Sequence, residues 1–268
     1  MLVSIIIPTC NRNDLLSNCL DLLHDEFFAT GMSCEVVVTD DSQTNVAQPL
    51  ILEQYTWVTW ANGPKHGPAA NRNYGAKLAK GEWLIFLDDD CLPQRGWLDA
   101  YIKVIATPSA TLVYEGFTNA DRPKQRFDEE APINTTGDKL WSCNFAINKE
   151  FFNSINGFDE TFPYAAMEDI DFYVRVKNVT PIEFVKEAFV IHPWRRIKPF
   201  STFKKHIRSH RHFAKKYNEL GTLAFRINRL KIFVGSVYVN LKSLIGYSMK
   251  GSLVYIEKCL INFCLIFI

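Results

Sequence analysis

The chain lacks any surplus of charge. Its 30 Lys and Arg stand against 29 Asp and Glu, a net +1, so bulk electrostatics select no partner. No cysteine pair has C-x-x-C spacing. The seven cysteines (Cys10, Cys19, Cys34, Cys91, Cys143, Cys259, Cys264) are scattered and odd in number, which excludes a disulfide framework or zinc ribbon and reads as free thiols in a reducing compartment. There is no G-x-x-x-x-G-K-[ST], and no G-x-G-x-x-G follows the first apolar run, so any nucleotide phosphates must be held without a glycine-rich cradle. No internal repeat or low-complexity tract occurs. Leu2–Pro8 is too short and lacks the basic lead of a secretion signal, so it is expected to be a first strand. The last apolar stretch, Leu253–Ile268, is interrupted by Glu257, Lys258 and Asn262 and falls short of the ~20 residues that cross a bilayer.

What is present is an ordinary soluble composition, 47% hydrophobic over 268 residues, enough for one α/β domain with an appendage. The charge is unevenly spread. Between Pro193 and Lys231, twelve bases meet one acid, Glu219, so the rest of the chain is net acidic and the tail offers a basic face.

The central stretch is Gly81–Cys91, GEWLIFLDDDC. Its apolar run is continuous, as in a strand buried on both faces of a parallel sheet, and it ends in Asp88, Asp89 and Asp90. Ligands of such sheets bind beyond the strands' carboxyl ends. Three carboxylates there suit a divalent cation shared with substrate phosphates. A solvated acidic turn capping the helix near Gly96 is the plain alternative. Other strands are expected at Val3–Ile7, Glu35–Thr39 (ending in Asp40 and Asp41), Thr56–Trp60, Ala110–Tyr114, Trp141–Asn148, Ile182–Val185 and Phe189–Ile191. Helices are expected after an Asn13 or Asp14 cap, from Pro68 to the Gly81 stop, from about Gly96 to Ala106, over Lys149–Ile155 and around Met167–Val176. Glu115–Leu140 is polar and weakly patterned, a long functional or mobile loop. Strand–helix alternation predicts an α/β fold with a mostly parallel sheet flanked by helices.

Five pieces then fall in register: SIIIPTCNR, VVVTDDS, GPAANRNYGAKLAKGEWLIFLDDD, NGFDETF and MEDIDFYVR. In order and spacing the chain resembles the family 2 glycosyltransferases, inverting enzymes with the GT-A fold and nucleotide-sugar donors. The resemblance covers roughly residues 1–196.

It implies a Rossmann-like catalytic domain over 1–196, with a nucleotide-binding half (1–114) and an acceptor-binding half (115–196), then a helical appendage over 197–268. It also implies that Pro8 and Thr9 line the nucleotide pocket and that Asp40 bonds the base, uracil being expected. The family's two Asp, Gly, Ser here reads Asp40, Asp41, Ser42, so Asp41 shares that assignment. Asn71 and Arg72 approach the donor, with Arg72 toward its phosphates. Asp88 faces the ribose, Asp89 stands among the donor-side residues in a structural part, and Asp90 ligates Mn²⁺ or Mg²⁺. Asp169 is the implied general base, with Glu168 or Asp171 as alternatives; Asp171 also has Arg175 four residues on, a plain helix pair. His192 corresponds to a histidine near the metal, a satisfied core histidine being the alternative. Trp141 and Glu168 are weaker acceptor-side candidates.

The chemistry agrees with the residues alone. Charge grows on a departing diphosphate, where a metal acts as Lewis acid, and a separate carboxylate takes the acceptor's proton. The expected function is transfer from a UDP-sugar to a glycan or lipid-linked acceptor. A non-catalytic nucleotide-sugar-binding subunit and a nucleotidyltransferase are the competing readings. The basic, amphipathic tail is expected to meet a membrane surface or a lipid pyrophosphate, making the protein cytoplasmic and peripheral on the inner face of the cell membrane; no reader motif points to nucleic acid.

Overall fold

A computed structural model describes residues 2–31 and 33–268; Met1, where the expected catalytic domain begins, lies outside the described residues. In chain order the elements are β1 (Val3–Thr9), α1 (Asn13–Ala29), β2 (Cys34–Asp40), α2 (Ala47–Gln54), β3 (Val58–Asn62), α3 (Pro68–Leu78), β4 (Trp83–Leu87), β5 (Leu92–Pro93), α4 (Trp97–Ala106), β6 (Val113–Asn119), β7 (Glu129–Glu130), β8 (Asn144–Asn148), α5 (Lys149–Ser154), α6 (Glu168–Lys177), β9 (Glu183–Ile191), β10 (Arg195–Arg196), α7 (Phe203–Lys216), α8 (Leu223–Gly246) and α9 (Ser252–Cys264).

The chain forms two compact units. The first comprises Met1–Asp121, Pro132–Glu160 and Glu168–Pro193. It holds an eight-stranded sheet in the order β3-β2-β1-β4-β8-β6-β9-β5. β3, β2, β1 and β4 run parallel, β8 is antiparallel to both β4 and β6, and β9 returns parallel to β6. Alternate residues of the central strands enter two different cores. Ile5, Ile7, Ile85 and Leu87 join Leu16, Leu20, Trp97 and Tyr101 on one face. Ile6, Leu84 and Phe86 join Phe145, Phe152, Phe158 and Phe172 on the other. A period of two buried on both sides is why these strands read as unbroken apolar runs.

Four local expectations are corrected. β6 starts at Val113 and runs to Asn119, taking Glu115 into the sheet instead of a loop. A carboxylate is tolerated there because it accepts from Asn134 Nδ2 at 2.9 Å and from the Asp138, Lys139 and Leu140 amides at 2.5, 3.0 and 2.8 Å. The two expected late strands are one, β9, whose pairing with β6 slips between Gly116 and Phe117, with Lys186 and Glu187 in the irregular turn. Gly116 is required at that slip, since a Cβ would lie 2.3 Å from Asn144 Nδ2, 2.5 Å from Ala188 O and 2.5 Å from Tyr101 Oη. β8 begins only at Asn144, its first residue, whose Oδ1 accepts from Trp97 Nε1 and Tyr101 Oη at 2.9 Å each. α1 has Arg12 at its cap position and no side-chain cap. Asn13 is already helical and donates to Val46 O at 2.8 Å.

The second unit comprises Arg122–Ala131, Thr161–Met167 and Trp194–Ile268. β7 and β10 pair antiparallel in it, and α8 and α9 pack together. Glu257 is fully buried and caps the segment before α7, accepting from the Phe200 and Thr202 amides at 2.7 and 3.0 Å and from Thr202 Oγ1 at 2.7 Å. No helix among the described residues is long and apolar enough to cross a membrane.

Candidate active site

Parallel register brings the strand ends to one rim of the first unit. Thr9 pairs with Asp40, Asp40 with Asn62, and Ile6 with Phe86, so the triplet after β4 emerges beside Pro8–Cys10. There each member of the triplet has its own partners. Asp88 Oδ1 accepts from Arg72 Nη2 at 2.6 Å. Asp89, wholly buried, accepts from Thr9 Oγ1 at 2.7 Å and lies 2.5 Å from Arg12 Nη2. Asp90 Oδ2 accepts from Arg12 Nη1 at 3.1 Å, and its Oδ1 is 3.3 Å from His192 Nε2. Burial pushes Asp89 up to about 7, against the pull of Arg12 and the Thr9 hydrogen bond. Arg12 is thus a cation inside the acidic cluster. The sequence reading missed it, although the strand-end motif that supplies Pro8 and Thr9 ends on it.

His192 hangs from the end of β9, where its amide donates to Asn119 O at 2.8 Å. Its Nδ1 is 2.9 Å from Pro193 O. A carbonyl only accepts, so Nδ1 donates to it and Nε2 is the nitrogen turned toward Asp90. Nε2 is buried and has no hydrogen bond among the described residues. That is how a ligating histidine is held by an outer carbonyl. Ligand atoms of Asp90, Cys91 and His192 lie within 4.8 Å of one another. Burial and the hydrogen bond with Cys143 push the Cys91 thiol up, leaving carboxylate and imidazole as the ready donors. An oxygen and a nitrogen ligand fit a divalent ion such as Mn²⁺.

Across from this cluster stands the first turn of α6. Asp169 accepts from Ser142 Oγ at 3.1 Å, while its Oδ1 is buried and without a hydrogen bond among the described residues. Burial pushes Asp169 up; Arg72 holds it down and Asp88 adds to the rise. Arg72 itself is buried, and its charge is kept against that burial by Asp88 and Asp169, with Phe158 5.7 Å below the guanidinium. Glu168 is buried beside Asp169. Asp171 pairs with Arg175 Nε at 2.8 Å. Trp141 is half-buried and donates to Ile133 O at 3.2 Å.

On the β2 side the two aspartates differ. Asp40 is wholly buried, with its oxygens on the Ser42 and Ala47 amides at 2.9 Å each. It builds the turn into α2. Asp41 is partly exposed and accepts from the Lys65 and Gly67 amides at 2.5 and 2.9 Å. Asn71 is buried and ties the ends of β1 and β2 together through Thr9 O and Thr39 O, at 3.4 and 2.8 Å. A cavity of about 500 Å³ opens beside Arg12, lined also by Asn11, Asn13, Asp14, Leu15 and Val46.

The glycosyl transferase family 2 profile matches residues 4–162. An uncharacterized glycosyltransferase of Haemophilus influenzae is 28% identical over 191 residues, 65% of this chain and 62% of that one. Among solved structures, S. aureus TarS 1-349 in complex with UDP is similar at TM-score 0.57 and 22% identity, over 77% of this chain and 64% of that one. The mannosyltransferase PcManGT from Pyrobaculum calidifontis, in complex with GDP-Man and Mn²⁺, gives TM-score 0.56 and 19% identity, over 82% and 65%. At these identities the likeness is one of fold, the GT-A architecture. The chain spans under two thirds of the length of each of the three. Asp169 and His192 lie past the end of the matched profile. The match nevertheless takes in more than half of the chain, with Thr9, Asp41, Arg72 and the whole acidic triplet inside it, and the chain belongs to glycosyl transferase family 2.

Proposed function

We propose that this chain is a metal-dependent inverting glycosyltransferase that moves a sugar from a nucleotide-diphosphate sugar, a UDP-sugar being the expected donor, to a hydroxyl of a glycan or lipid-linked acceptor. The observation that carries the reading is a pair of carboxylates that share the field of one buried cation. Arg72 bonds Asp88, the donor-side acid, and its charge also acts on Asp169, whose Oδ1 has no hydrogen bond among the described residues.

In this reading Asp41, the more exposed of its pair, meets the base, and Asp40 shapes the turn that presents it. Thr9 and Arg12 fix Asp89 as a buried strut. Asp90 and His192 would hold Mn²⁺ or Mg²⁺, which would supply Lewis-acid stabilisation to the departing diphosphate. Arg72 and Arg12 offer the donor phosphates further positive charge. Asp169 takes the proton from the acceptor hydroxyl. That oxygen bonds the anomeric carbon as the bond to the diphosphate breaks on the opposite side, so configuration inverts. A base with a raised proton affinity is the better acceptor near neutral pH. Trp141 and Glu168 border the acceptor side. The excess of basic residues after Pro193 supports peripheral attachment at the inner face of the cell membrane.

The test is a panel of nucleotide sugars with Mn²⁺, read as nucleotide-diphosphate release and donor-induced thermal stabilisation. Release together with loss of turnover in Asp169→Asn supports the reading. Stabilisation without turnover under any acceptor would make the chain a binding subunit, and pyrophosphate release would make it a nucleotidyltransferase.

A further inference from the structure

The second unit carries a helix with a long apolar stripe left exposed. Along α8, Ile227, Leu230, Val234, Tyr238, Leu241 and Ile245 recur at steps of three and four residues. They therefore form one stripe on a helix of 3.6 residues per turn. Every one is exposed, from 40% for Leu241 to 72% for Tyr238. The opposite side is packed: Phe225 and Leu244 are buried there, and polar contacts tie it to its neighbours. Asn262 Nδ2 of α9 donates to Ser236 Oγ at 3.0 Å, Tyr255 Oη donates to Val237 O at 3.4 Å, and Arg229 Nη2 donates to His210 at 3.2 Å. α9 also leaves an apolar face outward: Leu253, Ile256, Leu260 and Phe263 share a face and are 42–53% exposed, while Val254, Glu257 and Ile261 are buried. A contiguous apolar stripe of this length left outward has an apolar environment as its counterpart.

The charges identify which environment. Arg226 borders the α8 stripe on one side, and Lys231 and Lys242 border it on the other; all three are exposed. From Trp194 to Ile268 there are fifteen Lys and Arg against Glu219 and Glu257 only. An apolar protein groove would match the stripe but not the cationic borders. Two copies of this chain would set those borders against each other. An anionic lipid surface matches both, because acyl chains accept the stripe while long basic side chains reach back to the headgroups.

We propose that α8 lies in the plane of an anionic membrane with the Ile227–Ile245 stripe inserted below the headgroups and Arg226, Lys231 and Lys242 at phosphate level. This deepens the peripheral reading above by naming the partner surface and the face that meets it. Docking of this kind would hold the chain where lipid-linked acceptors are presented.

The experiment uses the full chain and vesicles of phosphatidylcholine with or without one part in four phosphatidylglycerol. Sedimentation with the anionic vesicles, at least tenfold stronger than with phosphatidylcholine alone, is expected. The exposed double variant Val234→Glu/Tyr238→Glu should lose that binding tenfold or more. Lys231→Glu/Lys242→Glu should lose it on anionic vesicles and not on neutral ones. Donor-induced stabilisation should be unchanged in both variants, which separates this proposal from the transferase reading. A chain that stays in the supernatant with anionic vesicles, a double variant that binds as tightly as the parent, or a dimer in light scattering that Val234→Glu/Tyr238→Glu converts to monomer would overturn the proposal.

Discussion

Arg72 Nη2 lies 2.6 Å from Asp88 Oδ1, and the same guanidinium lowers the proton affinity that burial raises in Asp169. One buried cation on α3 therefore acts on both halves of the proposed reaction, the donor-side acid and the base. The consequence is a site whose base strength depends on an arginine it does not bond.

Asp169→Asn removes the proton acceptor while keeping shape and the Ser142 contact. Turnover should fall by roughly 10²–10⁴-fold. Donor affinity, measured as thermal stabilisation by UDP with Mn²⁺, should stay within about twofold. Loss of donor affinity to the same extent as turnover would remove Asp169 from the role of base.

The pH profile carries a sign. Burial raises Asp169 above the ordinary carboxylate value, and the Ser142 hydrogen bond holds it down. Activity should therefore rise with pH along a limb above that ordinary value. Ser142→Ala removes a hydrogen bond to the ionised form, so the limb should move upward. The profile of turnover against pH in parent and variant checks this; a limb that stays put or moves down would contradict it.

How much of this was legible in the sequence depends on what each residue reports. Buried strands such as Ile5–Ile7 and Leu84–Leu87 fill cores on both faces, and continuous hydrophobicity encodes that directly. The triplet Asp88–Asp90 was visible because it interrupts such a run. Asp40 and Asp41 are adjacent and identical, and only the fold shows that one is buried under two amides while the other is partly exposed. Arg12, Ser142 and Glu115 act through partners 19 to 78 positions away, a pairing that spacing does not carry. Glu115 in particular looks like the start of a polar loop, since its carboxylate is satisfied by residues that follow it by 19 to 25 positions.

Metal dependence should follow His192. With Nδ1 held on the Pro193 carbonyl and Nε2 pointed at Asp90, His192→Ala removes a ready ligand without touching the donor-side acids. The Mn²⁺ concentration for half-maximal turnover should rise at least tenfold, on the order of 1.4 kcal/mol of metal affinity. Chelation should abolish turnover in the parent, and Mn²⁺ should restore it. Direct Mn²⁺ binding followed by electron paramagnetic resonance gives the same comparison without turnover.

Glu115→Ala should be costly without touching the reaction. It strips the Asp138, Lys139 and Leu140 amides and the Asn134 side chain of their common acceptor. Leaving such groups unsatisfied costs about 2–4 kcal/mol in total, allowing water to reach some of them. That corresponds to a fall of roughly 5–10 °C in Tm. Glu115→Gln should recover only part of it, because its amide nitrogen adds a donor where donors already converge.

Acid should weaken the second unit through His210. Burial first, then the charges of Arg229 and His206, bring this imidazole from 6.5 down to about 4. Arg229 only donates, so at 3.2 Å His210 Nδ1 is its acceptor and the folded ring is neutral. The unfolded chain binds a proton near pH 6.5 that the folded unit refuses until about pH 4. Stability from this group is therefore complete above pH 6.5 and falls as pH drops toward 4, by about 2 kcal/mol once the ring's partial exposure is allowed for. His206, also lowered by burial and by Lys205, titrates in the same direction. Thermal unfolding across that window should show the slope, and His210→Gln, which keeps an acceptor for Arg229 and has no proton to gain, should flatten the part that belongs to His210. A variant with the parent's full slope would assign the acid sensitivity elsewhere.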